Sequence, residues 1–204
     1  TGNPLRANIQ QMDKTEAKRQ LGFSEERPLV LIIGGSLGAK TLNDSLEKDF
    51  KNLLDAAIQV YWQCGKLYHE NLMARIDAQA YEGQMKIMPF IEDMNAAYGA
   101  ADLVISRSGA LSISEITFLG KASILVPSPN VAQDHQTKNA EALAHSEATS
   151  IIKDSDAREK LCPEAIRLVQ DPATLLAMEK QAKSLALPHA ATEIVQQIQQ
   201  IVHG

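Results

Sequence analysis

Leu103 to Glu115 reads LVISRSGALSISE. An apolar, β-branched run stops at small and hydroxyl residues, and a helix-compatible segment follows. Leu29 to Lys40, LVLIIGGSLGAK, has the same order of strand, glycine turn and helix. A strand that runs through glycine into a helix is the building unit of a parallel, doubly wound sheet.

Outward from these two stretches the alternation continues. Strands are expected at 29–33, 58–63, 85–89, 102–106, 122–126 and 149–152. Helices are expected at 39–55, 67–79, 92–100, 110–119 and 134–146, then at 156–170, 172–185 and 189–202, with breaks at Asp171-Pro172 and Pro188. A loop and a polar helix around 14–21 lead in. About six near-continuously apolar strands fit an α/β, Rossmann-like parallel sheet covered by helices on both faces. In such sheets ligands bind beyond the carboxyl ends of the strands. Function is therefore sought in the loops after residues 33, 63, 90, 106 and 127.

The chain has 204 residues, enough for one sizeable core. Its 45% hydrophobic and 22% charged residues are ordinary globular composition. A net charge of -5 without a basic cluster argues against nucleic acid as a partner, and against this chain being the main contact with an anionic membrane. Cys64 and Cys162 are far apart, so neither a disulfide framework nor a zinc site is expected, and a reducing compartment is the default. No His-x-x-x-His pair or cysteine cluster offers a metal site, and no nucleophile elbow is present. The TGNP start, without methionine, reads as a fragment or a processed chain.

Four loops carry chemistry. In GGSLGAK, Gly34 and Gly35 can bring backbone N–H groups to a phosphate and Ser36 adds a hydroxyl; the alternative is a plain tight turn. In SRSGALSISE, Ser108, Gly109 and Ala110 let a ligand approach a helix N-terminus, where the dipole favours negative charge. Glu115 lies one turn further along. A carboxylate there is misplaced for phosphate but well suited to the vicinal hydroxyls of a sugar. The alternative makes Ser108 an N-cap and Glu115 a solvated helix residue. In PSPNVAQDHQTKNA, Asp134 and Gln136 offer acceptors and a donor to a polyhydroxylated ligand, or Asp134 is an N-cap; His135 is a weak candidate base. In MPFIEDMNAAY, Ile91 can flank a base while its backbone reads the base edge; Met94 and Tyr98 read as core. Together the loops describe a nucleotide-sugar site.

GNPLR, GGSLGA, PFIEDM, SRSGALSISE and DHQTKNA, in that order, resemble the C-terminal, donor-binding domain of the MurG family of GT-B glycosyltransferases. These bacterial enzymes transfer N-acetylglucosamine from UDP-N-acetylglucosamine to lipid I, making the peptidoglycan precursor lipid II. The resemblance implies a lead-in segment over 1–27, a UDP-sugar-binding domain over 28–188 and a C-terminal helix over 189–204 that docks toward an N-terminal domain absent from the chain. It implies that Arg6 and Ser36 contact the donor around its diphosphate, and that Ala110, Leu111 and Ser112 present the helix N-terminus to the phosphates. By the same resemblance Ile91 reads uracil through its backbone, Glu115 holds the ribose hydroxyls, and Gln136 with Asp134 holds the sugar. Transfer would invert the anomeric carbon and needs no cofactor or metal. The catalytic base, the acceptor site and most of the membrane contact would belong to the absent domain, so the chain alone is expected to be inactive. The location implied is the cytoplasmic side of the bacterial inner membrane, peripherally attached.

Two rivals remain: another GT-B enzyme of UDP-N-acetylglucosamine such as a 2-epimerase, and a stand-alone donor-binding subunit of a two-component glycolipid transferase. A nicotinamide domain is disfavoured because GxGxxG is missing. Ile194, Val195, Ile198, Ile201 and Val202 form an apolar stripe on the last helix, which predicts weak self-association.

Overall fold

The computed structural model describes residues 2–6, 8–129 and 135–203. Six parallel strands form one sheet: β1 Leu29–Ile33, β2 Gln59–Gln63, β3 Met85–Met88, β4 Leu103–Ser106, β5 Ser123–Leu125 and β6 Thr149–Ile151. Their spatial order is β3-β2-β1-β4-β5-β6. The order reverses direction between β1 and β4, the switch point at which doubly wound sheets open a crevice. The expected α/β sheet is present.

The strands are buried on both faces because alternate side chains enter different cores. Val30 and Ile32 of β1 join Val60, Trp62, Leu103 and Ile105 in one. Helices α2 (Lys40–Asp55), α3 (Lys66–Arg75) and α7 (Ala157–Val169) cover it, through residues such as Leu46, Leu72 and Leu161. Leu29, Leu31 and Ile33 point the other way. There α1 (Lys14–Gln20), α4 (Met94–Ala100), α5 (Ala110–Leu119) and α6 (His135–Ala144) contribute Ala17, Tyr98, Ile116 and Leu143. Helices α8 (Pro172–Ser184) and α9 (Ala190–His203) follow.

Element ends differ from the sequence reading in three instructive places. The expected helix 67–79 stops at Arg75, because Ile76 turns extended and buries itself in the core; Ala78–Tyr81 then makes a separate 3-10 turn. Glu92 and Asp93 do not enter α4: Asp93 caps it, its side chain accepting from the Ala96 amide at 3.0 Å. A 3-10 turn over Asp154–Asp156 precedes α7. Among the described residues no helix is long and apolar enough to cross a membrane.

Candidate nucleotide-sugar site

The crevice lies where β1 and β4 end, and two helix starts meet there. Helix α5 begins after Gly109, which has no side chain to spend on the first-turn amides. The first helical hydrogen bond runs from Ile113 N–H to Gly109 O at 3.0 Å. The amides of Ala110, Leu111 and Ser112 thus lie in the uncapped first turn, at the positive end of the dipole. Ser108 is not the cap. It is buried, and its hydroxyl donates to Gln136 O at 2.8 Å, tying the start of α5 to the start of α6. Gly120, at φ 63°, ends α5 in the left-handed conformation.

Helix α2 starts the same way, after Ala39, with no side-chain cap. The loop before it is held rigidly. Gln63 Nε2 donates to Gly35 O at 2.9 Å, and Asn43 Nδ2 donates to Cys64 O at 2.9 Å while accepting from Trp62 Nε1 at 3.0 Å. Gly38 and Gly65, at φ 84° and 89°, pass so closely that a Cβ on Gly65 would stand 2.2 Å from Gly38 N. Only glycine permits that crossing. Gly35, at φ 79°, has open space where a Cβ would stand. The turn therefore combines a fixed base with an unobstructed rim, the arrangement a phosphate needs from a backbone cradle.

Between these helix starts is a cavity of about 260 Å³. Arg6, Gly35, Ser36, Ile91, Leu111, Ser112 and Glu115, all singled out from sequence, line it; Gln63, Phe90, Met94 and Tyr98 join them. Ile91 is buried and Phe90 is 42% exposed at the rim.

Glu115 is not a solvated helix residue: it is 1% exposed. Arg6 Nε stands 2.6 Å from Oε1, and Arg6 Nη2 donates to Oε2 at 3.2 Å. The Tyr98 hydroxyl donates to Oε2 at 3.1 Å. The Nε contact is ionic without hydrogen-bond alignment, so Oε1 has no directed donor among the described residues. Burial raises the Glu115 pKa; the charge of Arg6 and the hydrogen bonds from Tyr98 and Arg6 pull it back without cancelling the rise. The Tyr98 hydroxyl, buried beside that carboxylate, is held well above its ordinary pKa and remains a donor.

The other sequence candidates lie outside this cavity. Gly34 sits beneath the turn, where a Cβ would stand 2.9 Å from Gln63 O. Gly109 is the cap of α5. Ala110 lines a neighbouring apolar groove with Ile113, Asn139 and Leu187. Gln136 turns its side chain to the β5–α6 loop, Oε1 accepting from Ser128 N–H at 2.9 Å. His135 is exposed at the start of α6, and Asp134 lies outside the described residues. Among the described residues no group of three His, Cys, Asp or Glu side chains could hold a metal ion.

Three contributors escaped the sequence reading. Tyr98 belongs to the core as expected, yet delivers its hydroxyl to the cavity floor. Gln63 was read only as the end of a strand. Arg107 donates to Val126 O at 3.0 Å and pairs with Asp154, which accepts from Thr41 Oγ1 at 3.0 Å, so one ion pair joins the loops after β4, β5 and β6 to the start of α2. A lone arginine in a loop carries no pattern signal; polar residues at strand ends, facing a crevice, are the available clue.

A parallel sheet in this order, opening a crevice between two uncapped helix starts, is a Rossmann-like fold. The model of the glycosyltransferase family 28 C-terminal domain matches residues 29–198, and the chain belongs to that family. It is 46% identical over 206 residues to a Porphyromonas gingivalis protein named UDP-N-acetylglucosamine--N-acetylmuramyl-(pentapeptide) pyrophosphoryl-undecaprenol N-acetylglucosamine transferase, covering 99% of this chain and 54% of that protein. A Parabacteroides distasonis protein of the same name is 44% identical over 205 residues, covering 99% and 55%. The crystal structure of Acinetobacter baumannii MurG superposes with a TM-score of 0.77 at 32% identity, covering 98% of this chain and 58% of that one. The chain spans about half the length of these relatives.

Proposed function

We propose that this chain is the donor-binding half of an inverting N-acetylglucosaminyltransferase that converts lipid I to lipid II, and that its cavity takes UDP-N-acetylglucosamine. The observation that supports this best is the meeting, in one cavity, of a buried carboxylate with an undirected oxygen and the uncapped start of α5. A uridine diphosphate sugar needs both: acceptors for a neutral diol, and amides plus a dipole for a diphosphate.

In this reading the Ile91 backbone reads the uracil edge and Glu115 holds the ribose. The Ala110, Leu111 and Ser112 amides, the Gly34-Gly35-Ser36 turn and Arg6 surround the diphosphate. Gln136 and Asp134 receive the sugar; for Gln136 this requires release of its side chain from the Ser128 amide. Displacement of UDP builds negative charge on the leaving diphosphate. A preorganised helix start and a guanidinium stabilise that charge without reorganising water, which is commonly the largest catalytic contribution. We assign the acceptor, the catalytic base and the peripheral contact with the cytoplasmic face of the membrane to the part of the relatives this chain does not match. Helix α9, with Val195, Ile198, Ile201 and Val202 exposed, is the element we assign to contact with that part.

Calorimetric titration with UDP-N-acetylglucosamine, with UDP-N-acetylgalactosamine and NADH as controls, tests the reading. Binding of the first, weaker binding of the second and none of NADH is expected. Absence of binding by any uridine nucleotide would overturn it.

A further inference from the structure

Glu115 cannot serve Arg6 and a ribose at once. The guanidinium reaches both carboxylate oxygens, at 2.6 and 3.2 Å, from the cavity side. A ribose diol that uses both oxygens needs the same space. The two residues gripping Glu115 differ in freedom. Tyr98 is 1% exposed and set in α4 among core residues. Arg6 has a side chain 40% exposed and stands on a segment outside any helix or strand.

We infer that Arg6 and Tyr98 divide the work of holding Glu115: Arg6 is an exchangeable partner that the ribose displaces, and Tyr98 is a fixed positioning residue. This deepens the uridine-nucleotide reading above and rests on it. Displaced from Glu115, Arg6 becomes a free cation beside the uncapped start of α5, where a diphosphate is its natural counter-charge. Ribose and diphosphate thereby cooperate: the diol releases the arginine that the phosphates receive. Throughout, Tyr98 keeps one hydrogen bond on Oε2 and so aims the carboxylate. Its Oε1, without a directed donor among the described residues, accepts the first hydroxyl once Arg6 Nε, 2.6 Å away, has left.

The exchange has a signature in ligands that carry only part of the nucleotide. Uridine must break the Arg6–Glu115 pair yet offers no phosphate in return. Arg6→Ala is therefore expected to weaken UDP about tenfold or more, the scale of a charge-assisted contact, while uridine binds as well as before or better. Tyr98→Phe is expected to weaken UDP and uridine alike, about tenfold, and to leave 2′,3′-dideoxyuridine diphosphate unaffected, because that ligand has no diol for Glu115 to hold.

The experiment is calorimetry of UDP and the dideoxy analogue, and NMR titration of uridine, on the 204-residue chain and both variants at about pH 8, where carboxylates are ionised. Equal weakening of UDP and uridine by Arg6→Ala would overturn the exchange. Equal weakening of UDP and its dideoxy analogue by Tyr98→Phe would reduce Tyr98 to a packing residue. Should Tyr98→Phe unfold, the Arg6 arm still decides the exchange, since that side chain is largely outside the core. A wild-type chain that binds neither UDP nor uridine overturns the underlying reading itself; one that binds both, with the Arg6 pattern absent, overturns only the inference.

Discussion

Two carboxylates, one half-buried and one buried, stand at opposite edges of the sheet, and they are finished differently. Asp102 precedes β4 at the amino-terminal edge. Lys14 Nζ lies 2.7 Å from Oδ1, while Lys18 Nζ at 3.0 Å and the Leu29 amide at 2.8 Å serve Oδ2. Burial opposes its charge, yet the Lys14 hydrogen bond and charge, the Leu29 amide and Lys18 together hold its pKa below the ordinary value. Glu115, at the carboxyl edge, keeps a raised pKa and an oxygen without a directed donor. A carboxylate with both oxygens answered by the protein is part of the fold. One left partly unanswered in a cavity is poised for a ligand.

The sharpest way to break this contrast is the same substitution at both ends. Asp102→Asn leaves Lys18, itself 3% exposed, buried without its counter-charge. Loss of on the order of 3 kcal/mol of stability is expected in denaturant unfolding, with affinity for UDP-N-acetylglucosamine nearly unchanged in the folded fraction. Glu115→Gln is expected to reverse the pattern: affinity falls on the order of 30- to 100-fold by calorimetry, as hydrogen bonds to a charged acceptor are lost, while the thermal midpoint moves by only a few degrees. Two variants with the same phenotype would erase the distinction.

Acidity separates the two groups further. A folded carboxylate pKa that is lowered adds stability above the unfolded value, and that stability disappears as pH falls through the folded value. Asp102 therefore protects the fold down to below its reference of 3.8. A raised pKa works the other way: Glu115 costs stability increasingly as pH rises from its reference of 4.5 through its folded value. In the proposed reading, donor binding needs it ionised. Affinity for UDP-N-acetylglucosamine, whose diphosphate stays charged over this range, should weaken on acidification through the raised pKa, approaching about tenfold per pH unit, one proton's worth. Glu115→Gln should flatten the profile. A wild-type profile that weakens only below the ordinary carboxylate range would place the ligand elsewhere.

The contrast also shows what a sequence displays. The sheet was legible because each strand is a short apolar run closed by a turn, and because Gly34-Gly35 and Gly109 punctuate strand and helix. Glu115 was legible as a carboxylate one turn into a helix that starts among small residues. Its surroundings were not. Arg6 is 109 residues away, and Tyr98 comes from a helix whose pattern announces only core. A hydroxyl at the end of a buried ring has no period to betray it. Asp102 is equally silent: it reads as a polar residue before a strand, and its lysines belong to a helix that reads as a lead-in. The folded chain alone brings such residues together, and hydrogen-bond completeness, which separates the two carboxylates, exists only there.

The smallest effect concerns the amino-terminal edge again, and a lysine rather than a carboxylate. Lys121 follows α5, its Nζ donating to Ala101 O at 3.0 Å, near Lys14 and Asp102. Burial, aided by the charge of Lys14, lowers its pKa from 10.5 to about 8. Between about pH 8 and 10.5 the unfolded chain holds a proton that the native chain has released, so stability should rise with pH across that window. The full shift corresponds to about 3 kcal/mol, and partial hydration of the ammonium reduces it toward 1. Lys121→Met should remove this alkaline rise in urea unfolding and leave nucleotide affinity unchanged. If the rise persisted in the variant, the burial of Lys121 would not be its source.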